Sequence, residues 1–108
     1  MLNSVCLMGR LTRDPELRQT NTGKPVANFS IACDRDHNRE ETDFIDVVAW
    51  NGTAEFVNRY FQKGQMAVVK GRLQIRKYEK DGEKKTACEI IADSVYFGEA
   101  KRIAEPSA

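Results

Sequence analysis

Apolar side chains recur at every second residue in several separate segments of this sequence, and this period restricts the chain to a fold built mainly from β-strands. Successive side chains of a strand point to opposite faces of a sheet, so a half-buried strand alternates apolar with polar residues. The segment VANFSIAC is the clearest case, because the polar Asn28 and Ser30 alternate with apolar residues. The period predicts five strands, over residues 2–11, 26–33, 43–50, 65–78 and 86–97.

The segment TAEFVNRYFQKG departs from this period and predicts one α-helix. Ala54, Val57 and Phe61 recur in it at helical spacing. Thr53 suits the N-cap, and Gly64 suits the C-cap because glycine adopts the left-handed backbone conformation found there.

The order of these elements predicts the architecture. Three strands, a helix and two further strands is the order of an OB-fold, a five-stranded Greek-key barrel that is all-β apart from its helix. Residues 13–25 and 34–42 are expected to be polar loops. The pair Asp81-Gly82 predicts a tight hairpin turn between the last two strands. Another five-stranded α+β arrangement is the alternative.

The length and composition suit a single domain. With 108 residues, of which 41% are hydrophobic and 31% charged, the sequence is typical of a globular protein. We expect the OB-fold to occupy residues 1–98 and residues 99–108 to form a short loose tail. The net charge is only +1, so an argument for nucleic-acid binding must depend on where the charges lie.

Few residues could carry catalytic or metal chemistry. Cys6, Cys33 and Cys88 each lie in a strand-like run, and we expect them to be reduced, buried thiols of a cytoplasmic protein. The single His37 and the lack of a C-x-x-C pair argue against a metal site. No phosphate-binding glycine motif and no nucleophile with a partner base is present. We therefore expect no cofactor, no enzymatic activity and no membrane span.

The third predicted strand, DFIDVVAW, has aromatic residues on the face that the core does not need. Its odd positions form the core face, which leaves Phe44, Asp46 and Trp50 on the other. Burying one large apolar side chain is worth about 1.5–3 kcal/mol. A Phe and the only Trp turned toward solvent therefore favour a contact with another molecule, although the helix, a loop or a second subunit could cover them instead.

The fourth predicted strand carries cations on the equivalent face. Lys70, Arg72 and Arg76 alternate along it and are followed by Tyr78. Residues 70–85 contain seven basic and three acidic side chains, a net charge of +4. Aromatic rings interleaved with cations suit single-stranded nucleic acid, because unpaired bases stack on rings and cations neutralise phosphates. A protein interface, or no role beyond solubility, stays open from these residues alone.

The sequence resembles the bacterial single-stranded DNA-binding proteins (SSB) from about Leu2 to Phe97. The resemblance depends on the opening MLNSVCLMGRLTRDPELR, on GKPVANFSIA and ACEIIADSVYF, and above all on TDFIDVVAWNGTAEFVNRYFQKGQMAVVKGRLQIRKY. It implies an OB-fold that forms a homotetramer and coats single-stranded DNA. The process would be replication, recombination, repair or DNA uptake, and the location the cytoplasm, with association to the nucleoid.

The resemblance also implies which residues bind DNA. The family's aromatic platform positions fall on Phe44, Trp50, Tyr78 and His37. The last of these offers less ring area than the Trp that is common there. The phosphate-binding candidates are the family's basic positions, Arg18, Lys63, Arg76 and Lys77, together with the two further cations of the fourth strand, Lys70 and Arg72. Asp46 lies between the platforms, where its charge is expected to weaken phosphate binding.

The first predicted strand is apolar on both faces, which gives separate support for self-association. Val5 and Leu7 suit the core, and one barrel core uses only one face. Leu2, Cys6 and Met8 are therefore predicted to pack against a second copy. The alternative is that the helix or a loop covers this face within one chain.

The end of the sequence leaves the role in the cell open. Family members typically continue into a flexible linker and a short acidic tip that recruits replication and repair proteins, whereas this sequence stops at Ala108 with EAKRIAEPSA. We expect a trimmed chain or a short relative of the competence, plasmid or phage type, without recruitment through a tip. The alternative function is an adaptor that binds another replication protein, similar to the dimeric primosomal protein of the same fold.

Overall fold

The computed structural model describes residues 1–99, apart from the side chains of residues 38 and 39. Residues 100–108, which hold most of the predicted tail, lie outside this description. Six strands and one helix follow one another along the described chain: β1 (Val5–Leu11), β2 (Glu16–Gln19), β3 (Pro25–Arg35), β4 (Asn38–Trp50), α1 (Asn51–Tyr60), β5 (Met66–Lys80) and β6 (Glu83–Phe97). Within residues 1–99, no helix has the length and apolar character needed to cross a membrane.

Five of the strands close into a barrel, as predicted. Strand β5 pairs antiparallel with β1 and β6, β6 pairs parallel with β4, and β4 pairs antiparallel with β3. The barrel closes where β3 returns to β1, with Arg10 opposite Ala32 and Leu11 opposite Ile31. This order, with the helix between β4 and β5, is that of an OB-fold, and the alternative α+β arrangement is wrong.

The segment 13–25, predicted as a loop, contains strand β2. This strand adds to the edge of β3, with Glu16 opposite Asn28 and Gln19 opposite Pro25. All four of its residues are exposed. Because backbone pairing rather than a buried face holds β2 in place, its sequence has no apolar period to detect.

The segment 34–42, also predicted as a loop, forms the tip of a hairpin between β3 and β4. Asp34 lies opposite Thr42, whose hydroxyl donates a hydrogen bond of 3.0 Å to the Asp34 carboxylate. Polar cross-strand pairs of this kind stabilise a solvated hairpin without apolar alternation. The hairpin is therefore longer than its hydrophobic pattern indicates.

Helix α1 begins and ends earlier than predicted. Its N-cap is Trp50, the last residue of β4, so Thr53 lies inside the helix rather than at its cap. The Thr53 hydroxyl donates to the backbone oxygen of Asp93 at 3.4 Å. The helix ends at Tyr60, and Gly64 lies in the turn that follows, with φ of 88°. The strand therefore runs directly into the helix and fixes Trp50 at their junction.

The core of the barrel fills the space between all five barrel strands and α1. Its side chains are each less than a tenth exposed: Leu11, Ala27, Phe29, Ile31, Val47, Ala49, Ala54, Val57, Phe61, Ala67, Val69, Ile90, Ala92 and Val95. Because side chains alternate along a strand, this core determines which residues of β4, β5 and β6 face outward.

Strand β6 contains a β-bulge opposite Gly71 of β5. The pairing register shifts between Lys70 and Gly71, and Asp93 is the extra residue on the facing strand. A Cβ atom at Gly71 would collide with the carbonyl oxygen of Ile91. The close approach of the two strands therefore requires glycine at this position.

Strand β5 leaves β1 after Gly71, and beyond Gln74 and Glu89 the strands β5 and β6 pair only with each other and form a two-stranded arm. The predicted turn is confirmed, since Asp81 and Gly82 have φ of 55° and 80°, the left-handed values of a two-residue hairpin turn. The period of two along β5 predicts that Leu73 and Ile75 lie in the core with Ala67 and Val69, but they are 39% and 53% exposed. They continue the inward-facing side of β5 past the wall of the barrel.

The three cysteines are free thiols, but the prediction that they are buried is wrong. Cys6 and Cys88 are exposed, and Cys33 is partly exposed. Cys6 lies on the outer face of β1, and Cys88 lies on the arm. Burial, followed by the charges of Asp43 and Asp34, raises the pKa of the Cys33 thiol.

Candidate nucleic-acid interface

The outer face of β4 presents the aromatic side chains that the alternation predicted. The core takes Val47 and Ala49 from this strand, and both are almost fully buried, so the even positions turn outward. Phe44 is 71% exposed, and Trp50, at the junction with α1, is 39% exposed. The prediction that both rings face solvent rather than the core is confirmed.

An open groove of about 740 Å³ lies beside Trp50. Strands β2, β3, β4, β5 and β6 all contribute to its walls. The residues that line it are Arg18, Gln19, Thr20, Val26, Asn28, Val48, Trp50, Arg72, Gln74, Arg76, Glu89 and Ile91. The fold therefore brings one indole and three guanidinium groups, all predicted as binding residues, to the same concave surface.

Arg76 connects the groove to the third predicted platform. Its Nε donates a hydrogen bond of 3.3 Å to Oε1 of Glu89, and its guanidinium carbon lies 5.1 Å from the centre of the Tyr78 ring. Tyr78 follows two positions later on the same face of β5 and is 37% exposed. A cation close to an aromatic ring stabilises both side chains in place, so the arrangement is partly formed before any ligand binds.

Glu89 is a groove residue that the sequence analysis missed. It lies on the outer face of β6, opposite Asp46 of β4 and Gln74 of β5. Its side chain is 13% exposed. The sequence does contain a sign of its role, because Glu89 interrupts the apolar run ACEIIA. A carboxylate in such a run is seldom buried without a partner, so Glu89 could have been predicted to pair with a cation.

Three of the four predicted stacking residues, Tyr78, Phe44 and His37, lie outside the groove. Phe44 is six residues from Trp50 along β4, which places the two about 20 Å apart. His37 is exposed in the turn between β3 and β4. Near that turn, Nη2 of Arg35 donates to Oδ1 of Asp43 at 2.9 Å, and this hydrogen bond lowers the pKa of the carboxyl. Arg35 is therefore engaged within the hairpin.

None of the three predicted phosphate-binding lysines lines the groove. Lys77 lies on the face of the arm opposite to Arg76, because neighbouring side chains of a strand alternate. Lys70 lies on the outer face of β5 beside β1. Lys63 lies in the turn after α1, where its backbone N–H donates to the Asp14 carboxylate at 2.9 Å. A contribution of these lysines to binding stays a prediction.

The face predicted for self-association is exposed. Leu2 is 94% and Met8 53% exposed, and Cys6 is exposed as well. Met8 lies opposite Val68 of β5, which lies opposite Tyr96 of β6, itself 54% exposed. The alternative that the helix or a loop covers this face is wrong for residues 1–99. An apolar strip therefore crosses the outer surface of three strands.

The fold and the groove together define a class of protein, the OB-fold domains with an aromatic and basic groove suited to nucleic acid. Within that class the chain belongs to the single-strand binding protein family, whose family model matches residues 2–98. The predicted family membership is confirmed.

Proteins similar to this chain come from several bacteria. It is 51% identical over 106 residues to the single-stranded DNA-binding protein of Fusobacterium nucleatum subsp. nucleatum, an alignment that covers 93% of this chain and 69% of that protein. It is 48% identical over 106 residues to single-stranded DNA-binding protein 1 of Staphylococcus aureus strain Mu50, covering 94% and 68% respectively. The identity to protein 2 of the same strain is also 48%, covering 94% and 75%.

Proposed function

We propose that this protein binds single-stranded DNA with little dependence on base sequence and without catalysis. The observation that carries the proposal is the groove in which Trp50 lies among Arg18, Arg72 and Arg76. Any unpaired base can stack on an indole, at about 1–3 kcal/mol per base in proteins of this class, and guanidinium groups neutralise phosphates. The names of the similar proteins, all single-stranded DNA-binding, support the same function.

The exposed aromatic rings beyond the groove extend the proposed path of the bound DNA. Phe44 continues the outer face of β4, and Tyr78 continues that of β5. We assign both as further stacking platforms and His37, at the tip of the β3–β4 hairpin, as a weaker fourth. Lys63, Lys70 and Lys77 are assigned as peripheral contacts to phosphate.

The same groove favours a single strand over a duplex. In a duplex the flat faces of the bases are stacked on one another, so an indole at the groove wall meets only backbone and base edges. An unpaired strand can place a base on Trp50 and a phosphate near Arg72 at the same time. Stacking on an aromatic ring does not depend on which base is present, so it suits a protein that coats single-stranded DNA of any sequence.

We infer that the chain assembles as a homotetramer through the apolar strip of Leu2, Cys6, Met8, Val68 and Tyr96. A domain of this size buries a limited fraction of its surface, so burying the strip against a second copy adds stability. The proposed role is to coat and protect single strands in replication, recombination, repair or DNA uptake in the cytoplasm. The adaptor alternative would be a dimer that binds DNA weakly.

A fluorescence titration tests the binding proposal. Oligo(dT), oligo(U) and a DNA duplex of equal length are added at two salt concentrations, and the emission of Trp50 is recorded. The expected result is strong quenching by oligo(dT), weak quenching by the duplex, and an affinity that falls as salt rises, since neutralising phosphates releases counterions. Equal retention of the duplex and the single strand, without quenching, would overturn the proposal. The oligo(U) arm decides between DNA and RNA.

A further inference from the structure

A row of polar side chains crosses the outer face of the barrel between the two aromatic residues of β4. Ser30 of β3 lies opposite Asp46 of β4, Asp46 lies opposite Glu89 of β6, and Glu89 lies opposite Gln74 of β5. Strands lie about 4.8 Å apart, so the row spans four strands within about 15 Å. Two carboxylates therefore lie side by side on a surface otherwise marked by arginines.

The carboxylate of Asp46 is held in one orientation. The Ser30 hydroxyl donates to its Oδ1 at 2.7 Å, and Ser30 is only 9% exposed. Asp46 itself is exposed, and within the described part of the chain Oδ2 receives no hydrogen bond. Asp46 therefore presents a fixed, charged oxygen to solvent that can only accept hydrogen bonds.

The neighbouring charges determine which part of a nucleotide can approach this oxygen. Glu89 is paired with Arg76, whereas Asp46 has no cationic partner among the side chains that the structure describes. A phosphate is repelled by an unpaired carboxylate and attracted to Arg18 and Arg72 on the groove walls. A DNA strand whose phosphates lie near the arginines and away from Asp46 therefore turns its bases toward the Asp46 carboxylate.

We propose that Asp46, on the outer face of β4 beside the groove, gives the bound strand a preference for bases that carry an exocyclic amino group, and the proposal depends on the proposed binding of single-stranded DNA. Cytosine presents its N4 amino group as a donor, whereas thymine presents the O4 carbonyl at the same place. The Asp46 carboxylate accepts a hydrogen bond from the cytosine amino group and repels the thymine carbonyl oxygen. The two pyrimidines offer rings of similar area for stacking, so the hydrogen bond at Asp46 separates them.

The experiment compares oligo(dC) with oligo(dT) of equal length on the intact protein and on Asp46→Asn. It is done at mildly alkaline pH, which keeps the cytosine ring neutral, and at fixed salt. An amide at this position can still accept from Ser30 through Oδ1, and it can donate to a thymine carbonyl. The ratio of the oligo(dC) affinity to the oligo(dT) affinity is expected to fall about fivefold in this variant.

Two further variants separate hydrogen bonding from charge. Glu55→Gln removes one negative charge on helix α1, away from the groove, and is expected to leave the ratio unchanged. Ser30→Ala keeps the charge of Asp46 but removes the hydroxyl that orients it, and is expected to lower the ratio in part. Thermal melts establish that each variant folds.

The outcomes are distinct. If Asp46→Asn raises both affinities by the same factor, the carboxylate acts only by repelling phosphate and the inference is overturned. No change in either affinity would also overturn it, because Asp46 would then lie off the path of the strand. If the intact protein binds neither oligonucleotide, the proposed function fails first, and that failure is seen before any variant is compared.

Discussion

The Nε atom of Arg76 donates a hydrogen bond of 3.3 Å to Oε1 of Glu89, across the paired strands β5 and β6. The same guanidinium lies 5.1 Å from the centre of the Tyr78 ring. Arg76 is thus held at the groove by two contacts, whereas Lys77, its neighbour in sequence, lies on the opposite face of the arm. The two residues form a matched pair for testing which face binds phosphate.

Replacing Arg76 by Ala is expected to reduce both the affinity for single-stranded DNA and its salt dependence. For single strands, the slope of log affinity against log salt is about −0.7 for each phosphate neutralised, so the loss of one contact should make the slope shallower by about 0.7. Titrations with oligo(dT) at four or more salt concentrations measure the slope. Lys77→Ala also removes one positive charge but should change the salt slope much less. Equal effects of the two substitutions would place the DNA on both faces of the arm.

Trp50 should contribute more to affinity than any other single ring, because it lies in the groove among three arginines. Removing one stacked base contact costs about 1–3 kcal/mol, so Trp50→Ala is expected to weaken binding roughly 5- to 150-fold. Trp50→Phe keeps a ring and should recover much of the affinity. Because these variants lack the fluorescent indole, the anisotropy of a dye-labelled oligo(dT) is the measurement. Wild-type affinity in Trp50→Ala would show that bases do not stack there.

The sequence predicted the barrel well because its core residues alternate strictly. Phe29, Ile31, Val47 and Val69 follow the period of two and are almost completely buried. The period also predicted the outward position of Phe44 without any reference to a known family. Where burial decides the structure, the pattern of apolar residues was sufficient.

The parts that the sequence did not predict are held by backbone pairing and polar contacts. Strand β2 has no buried face, yet it carries Arg18 to the groove. Glu89 reaches the groove through the parallel pairing of β6 with β4, which depends on the closure of the barrel and not on local pattern. Leu73 follows the core pattern but lies where the arm leaves the barrel. Long-range pairing of this kind is not contained in the period of one strand.

Gly71 is expected to be the least replaceable glycine of the barrel wall. An added Cβ would collide with the backbone of β6, which cannot move without disturbing the bulge, so Gly71→Ala should lower the free energy of unfolding by about 1–3 kcal/mol. Gly52, in the first turn of α1, has no atom within 4 Å of an added Cβ. Gly52→Ala should raise stability slightly or leave it unchanged, by up to about 1 kcal/mol. Urea unfolding of both variants measures the difference, and a neutral Gly71→Ala would contradict the register at the bulge.

A charge on the outer face of β1 is expected to disrupt the proposed assembly. Met8 lies in the apolar strip, opposite Val68, so Met8→Asp would bury a carboxylate at the proposed interface between copies. Native mass spectrometry or light scattering should show a shift from tetramer to smaller species. Met8→Leu keeps the apolar contact and should preserve the tetramer. An unchanged mass in folded Met8→Asp would place the interface elsewhere, and a dimeric wild-type protein would favour the adaptor alternative.

The three thiols should react with a maleimide at different rates, and the order reports both burial and assembly. Cys88 is exposed on the arm and should react fastest. Burial and the charges of Asp43 and Asp34 raise the pKa of Cys33, so a smaller fraction is thiolate at any given pH and this residue should react more slowly. Raising the pH increases the thiolate fraction of Cys33 and should reduce the difference between its reaction rate and that of Cys88.

Cys6 distinguishes the single chain from the assembly. It is exposed in one copy of the chain, on the strip that the proposed interface covers. In the wild-type assembly it should therefore be protected, and in Met8→Asp it should react nearly as fast as Cys88. Peptide mass spectrometry after short labelling times gives the rate at each site. If Cys33 reacts as fast as Cys88, its partial burial is not maintained in solution. If Cys6 reacts rapidly in a wild-type protein of tetrameric mass, the strip lies outside the interface, and the copies must meet through another surface of the barrel.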